Sequence, residues 1–154
     1  MKRMIKVNSP IGNLYLAEEN GQLTDLSFSE LNFPYQETEI LLETKKQLDE
    51  YFKGSRTEFS LPLDPKGTPW QQKVWQALQE IPYGTLNYYQ EIAKKVGNIK
   101  ASRAVGLANN RNPIAIIIPC HRVVGKNGKM VGYAGGLNIK EYLINLENKD
   151  KLNW

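Results

Sequence analysis

Apolar residues in the first third of the chain fall into short segments separated by turn-forming residues. The segments 4–7, 14–17 and 23–28 are short and mainly apolar, which predicts three β-strands. Proline, glycine and asparagine at 10–13 and 19–22 predict the turns between them. This part of the chain is therefore predicted to form an antiparallel meander.

A helical pattern and then a break follow the sheet. Residues 36–53 are predicted to form a helix that ends at Gly54. The apolar positions of this helix are Leu41, Leu42, Leu48, Tyr51 and Phe52. The segment 60–67 contains two prolines and a glycine, which predicts a linker. We therefore expect an N-terminal domain over residues 1–62 and a C-terminal domain over residues 63–154.

Beyond the linker the pattern is mainly helical. Thr68 and Gln71 have the spacing of a capping box, with a proline at the first helical position. The apolar stripe of this helix is Trp70, Val74 and Leu78. Two short helices are predicted over residues 88–95 and 101–109, with Gly97 in the break between them. This arrangement resembles a helix-turn-helix.

The predicted helix at 101–109 is unusual because most of its residues are small. The small residues are Ala101, Ser102, Ala104, Gly106 and Ala108. Such a helix either packs closely on another helix, with Arg103 in solvent, or lies against DNA with Arg103 projecting into it. The helix carries few polar side chains that could read base edges, so recognition of a specific DNA sequence is not predicted.

The rest of the C-terminal part consists of a strand-like segment, two loops and a last helix. Residues 114–118 are continuously apolar, which predicts a buried strand ended by a proline. The segment 125–128 reads as a turn and 133–136 as a loop. The spacing of Asn138 and Glu141 predicts a second capping box. The apolar stripe of the last helix is Ile139, Tyr142, Leu143 and Leu146, with Glu147 at its edge.

Charge is distributed unevenly over the 154 residues. The chain has a net charge of +4 and a pI near 9.1. Residues 1–62 hold 7 basic and 10 acidic residues, whereas residues 63–154 hold 13 basic and 6 acidic residues. The basic part indicates either a polyanionic partner, most simply nucleic acid, or a lysine-rich solvated surface.

Reactive residue types are scarce in this chain. It has one cysteine, Cys120, and one histidine, His121. These two cannot form an internal disulfide or a standard structural zinc site, so no metal and no cofactor are predicted. No apolar run approaches the length of a membrane span, and no signal peptide is visible. We therefore expect a cytoplasmic protein without membrane contact.

Adjacency alone does not make Cys120 and His121 a catalytic pair. A lone cysteine is often an inert core residue, and neighbours on a strand point to opposite faces. The two side chains can act together only if the chain turns at Pro119.

The segment Pro119-Cys120-His121-Arg122-Val123 resembles the signature of the O6-alkylguanine-DNA alkyltransferases, the methylated-DNA–protein-cysteine methyltransferases. Further segments fit this family in order and spacing. They are IPYG at 81–84, YQEIA at 89–93, RAVG at 103–106, NP at 112–113, YAGGL at 133–137 and Glu147. The resemblance is strong over residues 66–150 and loose over the N-terminal part.

The resemblance implies an α+β fold. A small ribonuclease-H-like α/β domain would be followed by a mainly helical domain with a helix-turn-helix of winged-helix type. It also implies DNA repair by direct reversal, in which the alkyl group of O6-alkylguanine moves to the cysteine of the protein. Water does not readily displace an alkyl group from a thioether sulfur, so each chain would react once. The implied partner is double-stranded DNA that contains the lesion, bound by a monomer.

The resemblance further implies roles for individual residues. Cys120 would be the nucleophile, and His121 would withdraw its proton with the help of Glu147. Asn112 would brace the active-site turn, and Tyr89 would help to rotate the nucleotide and protonate the leaving guanine. The alkylated base would be held by Cys120, Val123, Tyr133, Ala134, Gly135 and Ala115. DNA contacts are implied for Arg103, Tyr89, Ala101, Ser102 and Gly106, with Arg103 filling the gap left by the extruded base.

The sequence departs from the family at several positions. Ala134 stands where many members have serine, and Ala115 stands where some members have proline. The zinc ligands that some members carry in the N-terminal domain are missing. Cys120 distinguishes the chain from the alkyltransferase-like proteins, which lack the cysteine and only bind lesions. On the residues alone, a DNA-binding module without chemistry and a Cys-His hydrolase stay open as alternatives.

Overall fold

The computed structural model describes residues 1–148, and residues 149–154 of the predicted C-terminal domain lie outside the described residues. The chain forms two compact units, Met1–Lys66 and a second unit that begins at Gly67. Within the described part of the chain, no helix has both the length and the apolar content needed to cross a membrane.

The first unit contains the predicted meander. Strands β1 (Arg3–Ser9), β2 (Gly12–Glu19) and β3 (Gln22–Ser27) pair antiparallel in that order. The turn between β2 and β3 is Asn20-Gly21, with φ angles of 55° and 78°. Positive φ at both positions is the geometry of a tight hairpin turn, which asparagine and glycine tolerate best. The turn-forming pair therefore sets the register of the hairpin.

Helix α1 (Glu39–Phe52) packs on this sheet. Its buried residues are Leu41, Thr44, Gln47, Leu48 and Tyr51. Of the apolar residues of this helix, Leu42 is 43% exposed. The buried amide of Gln47 instead bonds to the segment after the helix, where it donates to the Ser60 carbonyl (3.2 Å) and accepts from the Ser60 N–H (2.9 Å). Polar pairing thus places a glutamine on the buried face.

The predicted linker at 60–67 is held in place along part of its length. The Leu23 N–H donates to the Pro62 carbonyl (2.9 Å), and the Asp64 N–H donates to the Leu23 carbonyl (2.8 Å). These bonds add residues 62–64 to the edge of β3. The prolines therefore mark an edge segment without regular structure, not a freely moving connection.

The second unit begins with helix α2 (Pro69–Gln79). The predicted capping box is present, because the Thr68 hydroxyl accepts from the Gln71 N–H (3.1 Å) and the Gln71 side chain accepts from the Thr68 N–H (2.9 Å). The sequence pattern did not single out Trp75, which is 1% exposed and donates its indole N–H to the Ala108 carbonyl (2.9 Å).

Helices α3 (Tyr89–Lys95) and α4 (Ser102–Asn110) form the predicted helix-turn-helix. They pack on each other, and α4 also packs on α2. A two-stranded parallel pair, β4 (Asn87–Tyr88) with β5 (Val123–Val124), was not predicted. With the 3₁₀ turn Lys126–Gly128 after β5, it forms a small wing beside the helices. The α+β fold class is confirmed.

The buried strand predicted at 114–118 is wrong. These residues are buried, but the chain coils into turns in which the Ile118 N–H donates to the Ile114 carbonyl (3.0 Å). Ile116 has a φ of 73°, a left-handed conformation that β-branched residues rarely adopt. The Asn112 side chain spans the turn, donating to the Ile118 carbonyl (2.7 Å) and accepting from the Ile114 N–H (3.0 Å). These bonds replace those of a strand.

The last helix, α5 (Leu137–Glu147), differs from the prediction at its start and in its buried face. Gly136, with a φ of 95°, caps it in place of the predicted box at Asn138. Its buried residues are Lys140, Leu143, Ile144 and Glu147. The predicted stripe was therefore wrong by about one position, and Glu147 lies within the buried face. Hydropathy misplaced the face because two of its four residues are charged.

Gly67 offers a test of packing in the second unit. A Cβ at this position would lie 2.4 Å from the buried Trp75 ring. We expect Gly67→Ala to lower the free energy of unfolding by about 1–3 kcal/mol, because the ring has no room to move. Urea unfolding followed by tryptophan fluorescence reports this unit, since all three tryptophans follow Gly67 in the sequence. Gly106→Ala is the control, because its Cβ would meet nothing closer than 3.9 Å. Equal stability of the two variants would contradict this account.

Candidate active site

Cys120 and His121 lie in one buried 3₁₀ turn, Cys120–Arg122, which follows Pro119. The chain therefore leaves the extended conformation at the point where the two side chains need it to turn. Cys120 is 4% exposed, His121 is fully buried and Arg122 is 8% exposed. Three chemically active side chains are thus removed from water in consecutive positions.

The carboxylate of Glu147 contacts two of these side chains. Its Oε2 lies 2.6 Å from His121 Nε2 and 3.1 Å from Arg122 Nη2, and its Oε1 lies 2.7 Å from Arg122 Nε. Arg122 also donates from Nη1 to the Ile81 carbonyl (2.7 Å), just after α2. The bidentate pair places opposite charges together in a buried setting, which is the arrangement that a buried carboxylate requires.

Glu147 is ionised in this network. Burial alone would raise the pKa of its carboxyl, but the hydrogen bonds and charges of His121 and Arg122 outweigh burial and lower the pKa to about 2. The positive charge of Arg122 is permanent at neutral pH. Glu147 and Arg122 therefore form a pair whose charges balance, so His121 does not have to be charged.

His121 is held as a neutral base. Burial lowers the pKa of its imidazole, and this effect outweighs the opposing bond to Glu147. A carboxylate can only accept, so the ring proton lies on Nε2 and the lone pair lies on Nδ1. Nδ1 is buried and has no hydrogen-bond partner among residues 1–148. The arrangement thus leaves a basic nitrogen available inside the site.

The surroundings of Cys120 have opposing effects on the pKa of its thiol. Burial raises the pKa of its thiol, whereas a hydrogen bond from Asn112 and the positive charge of Lys140 act to lower it. Asn112 thus contacts the cysteine as well as bracing the turn at 114–118. Asn109 on α4 donates to the Cys120 carbonyl at 3.4 Å. A buried thiol of this kind needs a nearby base to ionise at neutral pH.

Two tyrosines lie close enough to Cys120 to feel its charge. Burial raises the pKa of Tyr89 and raises that of Tyr133 further, and a negative charge on Cys120 adds to both shifts. The Tyr89 hydroxyl lies 3.5 Å from the Val131 carbonyl, in the segment that leads to Tyr133. Both phenols therefore stay protonated at neutral pH and can donate hydrogen bonds.

The other residues that the resemblance implied take several positions. Val123 and Ala115 are buried, Gly135 is half-buried and Ala134 is exposed in the loop before α5. On the helix-turn-helix, Arg103 is exposed at the start of α4. The other residues for which the resemblance implied DNA contact are half-buried, namely Ala101, Ser102, Gly106 and Tyr89. No group of three His, Cys, Asp or Glu side chains within residues 1–148 is placed to hold a metal ion.

Three residues of the site were not given roles from the sequence. Arg122 was visible in the cysteine motif, but its ion pair with Glu147 was not foreseen. Lys140 lies seven residues before Glu147 on α5, a spacing that puts both on one helix face. That spacing was the available signal, but lysine is so often exposed that the pattern alone does not predict a buried Lys140. Asn109 gave no signal beyond its place on α4.

Models of two domains match the two units of the chain. The model described as 6-O-methylguanine DNA methyltransferase, ribonuclease-like domain, matches residues 3–65. The model described as 6-O-methylguanine DNA methyltransferase, DNA binding domain, matches residues 69–149, which is more than half of the chain.

Curated relatives and a solved structure agree with these matches. The methylated-DNA–protein-cysteine methyltransferase of Methanosarcina acetivorans is 52% identical, covering 90% of this chain and 94% of the relative. The constitutive methylated-DNA–protein-cysteine methyltransferase of Bacillus subtilis is 51% identical, with coverages of 90% and 91%. Mycobacterium tuberculosis OGT in complex with DNA has a TM-score of 0.87 at 47% identity, with coverages of 96% and 92%. The chain therefore belongs to the methylated-DNA–protein-cysteine methyltransferase family.

Proposed function

We propose that this protein repairs O6-alkylguanine in double-stranded DNA by moving the alkyl group to its own Cys120, once per chain. One observation carries the proposal. The buried Cys120 shares a turn with a neutral histidine whose ring is oriented by Glu147, in a unit that also contains a helix-turn-helix. The names of the close relatives support the same reaction.

The proton of Cys120 leaves through His121. The Nε2 atom of His121 donates to Glu147, so Nδ1 is the atom that can receive the thiol proton. In the family this transfer passes through a bridging water. The imidazolium that forms is then stabilised by the Glu147 carboxylate. Arg122 keeps that carboxylate ionised and in place. The turn and α5 thus supply the nucleophile, the base and the acid of a triad.

The thiolate sulfur attacks the alkyl carbon of the lesion. A sulfur–carbon bond forms while the bond from that carbon to O6 breaks, and the electron pair goes to the guanine. The guanine takes a proton, for which the protonated Tyr89 hydroxyl is the donor. The proton that His121 took from the thiol then returns to the Tyr89 oxygen, so both side chains are restored, the guanine has gained one proton and the alkyl group is on sulfur. No step in this sequence regenerates the thiol.

DNA approaches through α4. One face of this helix packs inward, where the Ala108 carbonyl accepts from Trp75, while Arg103 projects from the opposite, exposed face. Gly106 lies beside the Tyr89 ring, and its lack of a side chain would let a DNA backbone come close to the surface of α4 there. Cys120 is 4% exposed, so the damaged base has to leave the duplex to reach the sulfur. Arg103 fills the space that the base vacates.

The two parts of the chain divide the work. The basic part, residues 63–154, binds DNA and accepts the alkyl group, while residues 1–62 form a separate α/β domain that carries none of the reacting groups. We also propose that the protein acts in the cytoplasm as a monomer.

Intact mass measurement after incubation with a duplex containing one O6-methylguanine tests the proposal. We expect one methyl group per chain, located on Cys120, and no further turnover with excess DNA. Cys120→Ser should lose the transfer and keep duplex affinity, because the hydroxyl is a far weaker nucleophile at neutral pH. Transfer by the serine variant would remove Cys120 from the mechanism. Many products per chain would favour a hydrolase, and DNA binding without methylation would favour a binding module.

Arg103→Ala tests base extrusion. We expect repair in duplex DNA to slow by roughly tenfold to a hundredfold, because extrusion costs a few kcal/mol and the finger offsets part of that cost. Reaction with free O6-methylguanine base should be unchanged, since a free base needs no extrusion. Arg111→Ala removes an exposed arginine just after the same helix and serves as the control. Equal losses on both substrates would place Arg103 in the pocket or the fold instead.

The Glu147 network ties stability to pH. The pKa of Glu147 is about 2 in the folded protein, whereas its ordinary value is 4.5. The ionised carboxylate therefore stabilises the folded state fully above pH 4.5, and this stabilisation is lost as the pH falls towards 2. We expect about 3 kcal/mol of the free energy of unfolding to disappear over this range. The pKa of His121 is also lowered, so protonation of this buried ring further lowers the free energy of unfolding as the pH falls below 6.5. Urea unfolding between pH 7 and pH 2 measures the effect.

Two variants on α5 separate this network from general acid sensitivity. Glu147→Gln should be less stable at pH 7 and lose the part of the pH dependence below pH 4.5. Glu141→Gln, at an exposed position of the same helix, should behave like the parent protein. If Glu147→Gln keeps the full acid dependence, the ionised carboxylate is not its source.

A further inference from the structure

A lysine is fully buried beside the catalytic turn. Lys140 lies on α5, on the same face as Glu147, and none of its surface is exposed. This helix packs against the Cys120–Arg122 turn. The Lys140 ammonium donates to the Val131 carbonyl at 2.9 Å. A neutral carbonyl satisfies one of three N–H donors but does not balance a buried positive charge.

Among the residues that the structure describes, the charges around Lys140 leave one candidate for its counter-charge. Glu147 is engaged by Arg122 and His121, so its charge is already balanced. His121 is neutral, and the phenols Tyr89 and Tyr133 keep their protons. Among residues 1–148, the group whose negative charge acts on Lys140 is Cys120.

The electrostatic interaction between Lys140 and Cys120 acts in both directions. The positive charge of Lys140 lowers the pKa of the Cys120 thiol, and a negative charge on Cys120 raises the pKa of Lys140. Burial acts against both charged forms, raising the thiol pKa and lowering the ammonium pKa. Each group is therefore easier to charge when the other is charged.

We propose that Lys140 is a positioning residue whose ammonium is the counter-charge of the Cys120 thiolate and whose bond to Val131 holds the loop before α5. His121 is the base that removes the thiol proton, and Lys140 stabilises the anion that remains. Val131 also receives the Tyr89 hydroxyl, so one carbonyl joins the helix-turn-helix, the loop and α5. The inference rests on the proposed function only in that the thiolate is taken to be the nucleophile of alkyl transfer.

The first experiment keeps Lys140 and removes the thiol. The side-chain ammonium of Lys140 is titrated by NMR of isotope-labelled lysine in the parent protein and in Cys120→Ser, without DNA. Lys140→Met identifies the signal by its disappearance. We expect the midpoint of Lys140 to fall by about one pH unit or more in Cys120→Ser, as for the loss of an opposite charge nearby. An unchanged midpoint would overturn the pairing.

The second experiment keeps the thiol and changes the lysine. Cys120 is the only cysteine in the sequence, so its reaction with methyl methanethiosulfonate, a small neutral thiol reagent, reports on this thiol alone. At pH 7 we expect Lys140→Met and Lys140→Gln to react roughly three- to tenfold more slowly. A thiol with a higher pKa has less thiolate, which its greater nucleophilicity offsets only in part.

The choice of variants separates charge from anchoring. Lys140→Gln keeps a donor for the Val131 carbonyl but has no charge, whereas Lys140→Arg keeps the charge and should stay close to the parent rate. Lys129→Met removes an exposed lysine of the same unit and controls for net charge. If Lys140→Gln reacts as fast as the parent, the counter-charge role is wrong and Lys140 only anchors the loop. Methyl transfer is not used in either measurement, so these outcomes are independent of whether repair occurs.

Discussion

The carboxylate of Glu147 is buried and shared by two side chains of one turn, and the geometry of the site depends on it. It accepts from His121, which sets the tautomer of the ring, and it pairs with Arg122, which also bonds to the Ile81 carbonyl beyond α2. The same charged atoms thus connect α5, the catalytic turn and the end of α2. A buried carboxylate is stable only with such partners. The bonds of Glu147 therefore both hold α5 against the turn and orient the His121 ring with its basic nitrogen free of the carboxylate.

A second constraint comes from the turn that delivers Cys120. Five consecutive apolar residues are buried without forming a strand, and one of them, Ile116, has a left-handed backbone conformation. Asn112 offsets this strain by bonding to both ends of the turn, and it also contacts Cys120. The run of β-branched residues predicts a strand. It was misleading because the pattern of these residues contains no information on the Asn112 side chain, which bonds to their backbone from outside the segment. The resemblance to a family, not the periodicity, was what indicated a bracing role for Asn112.

The sequence predicted the sheet, the helix-turn-helix and the capped start of α2, because turn residues, caps and helix breaks are local signals. It misplaced the face and the start of α5, because hydropathy treats lysine and glutamate as exposed residues. In this site they are buried because they have partners that are remote in sequence, such as Val131 for Lys140 and Arg122 for Glu147. The motif around Cys120 is a local signal and drew attention to the cysteine, whereas Arg122 and Lys140 were given no role because their partners lie elsewhere in the chain.

Burial of Cys120 has two opposite consequences for the reaction. It raises the pKa of the thiol, which favours the protonated form in the resting chain. It also makes a thiolate, once formed, depend on nearby positive charge, for which we propose the buried ammonium of Lys140 and the imidazolium that His121 becomes when it takes the proton. Transfer of the alkyl group converts that thiolate into a neutral thioether. The Glu147–Arg122 pair keeps its charges through this change, whereas the thioether cannot form again the anion that we propose Lys140 stabilises. On this account a single reaction removes the nucleophile and, with it, the negative charge that the Lys140 ammonium would stabilise.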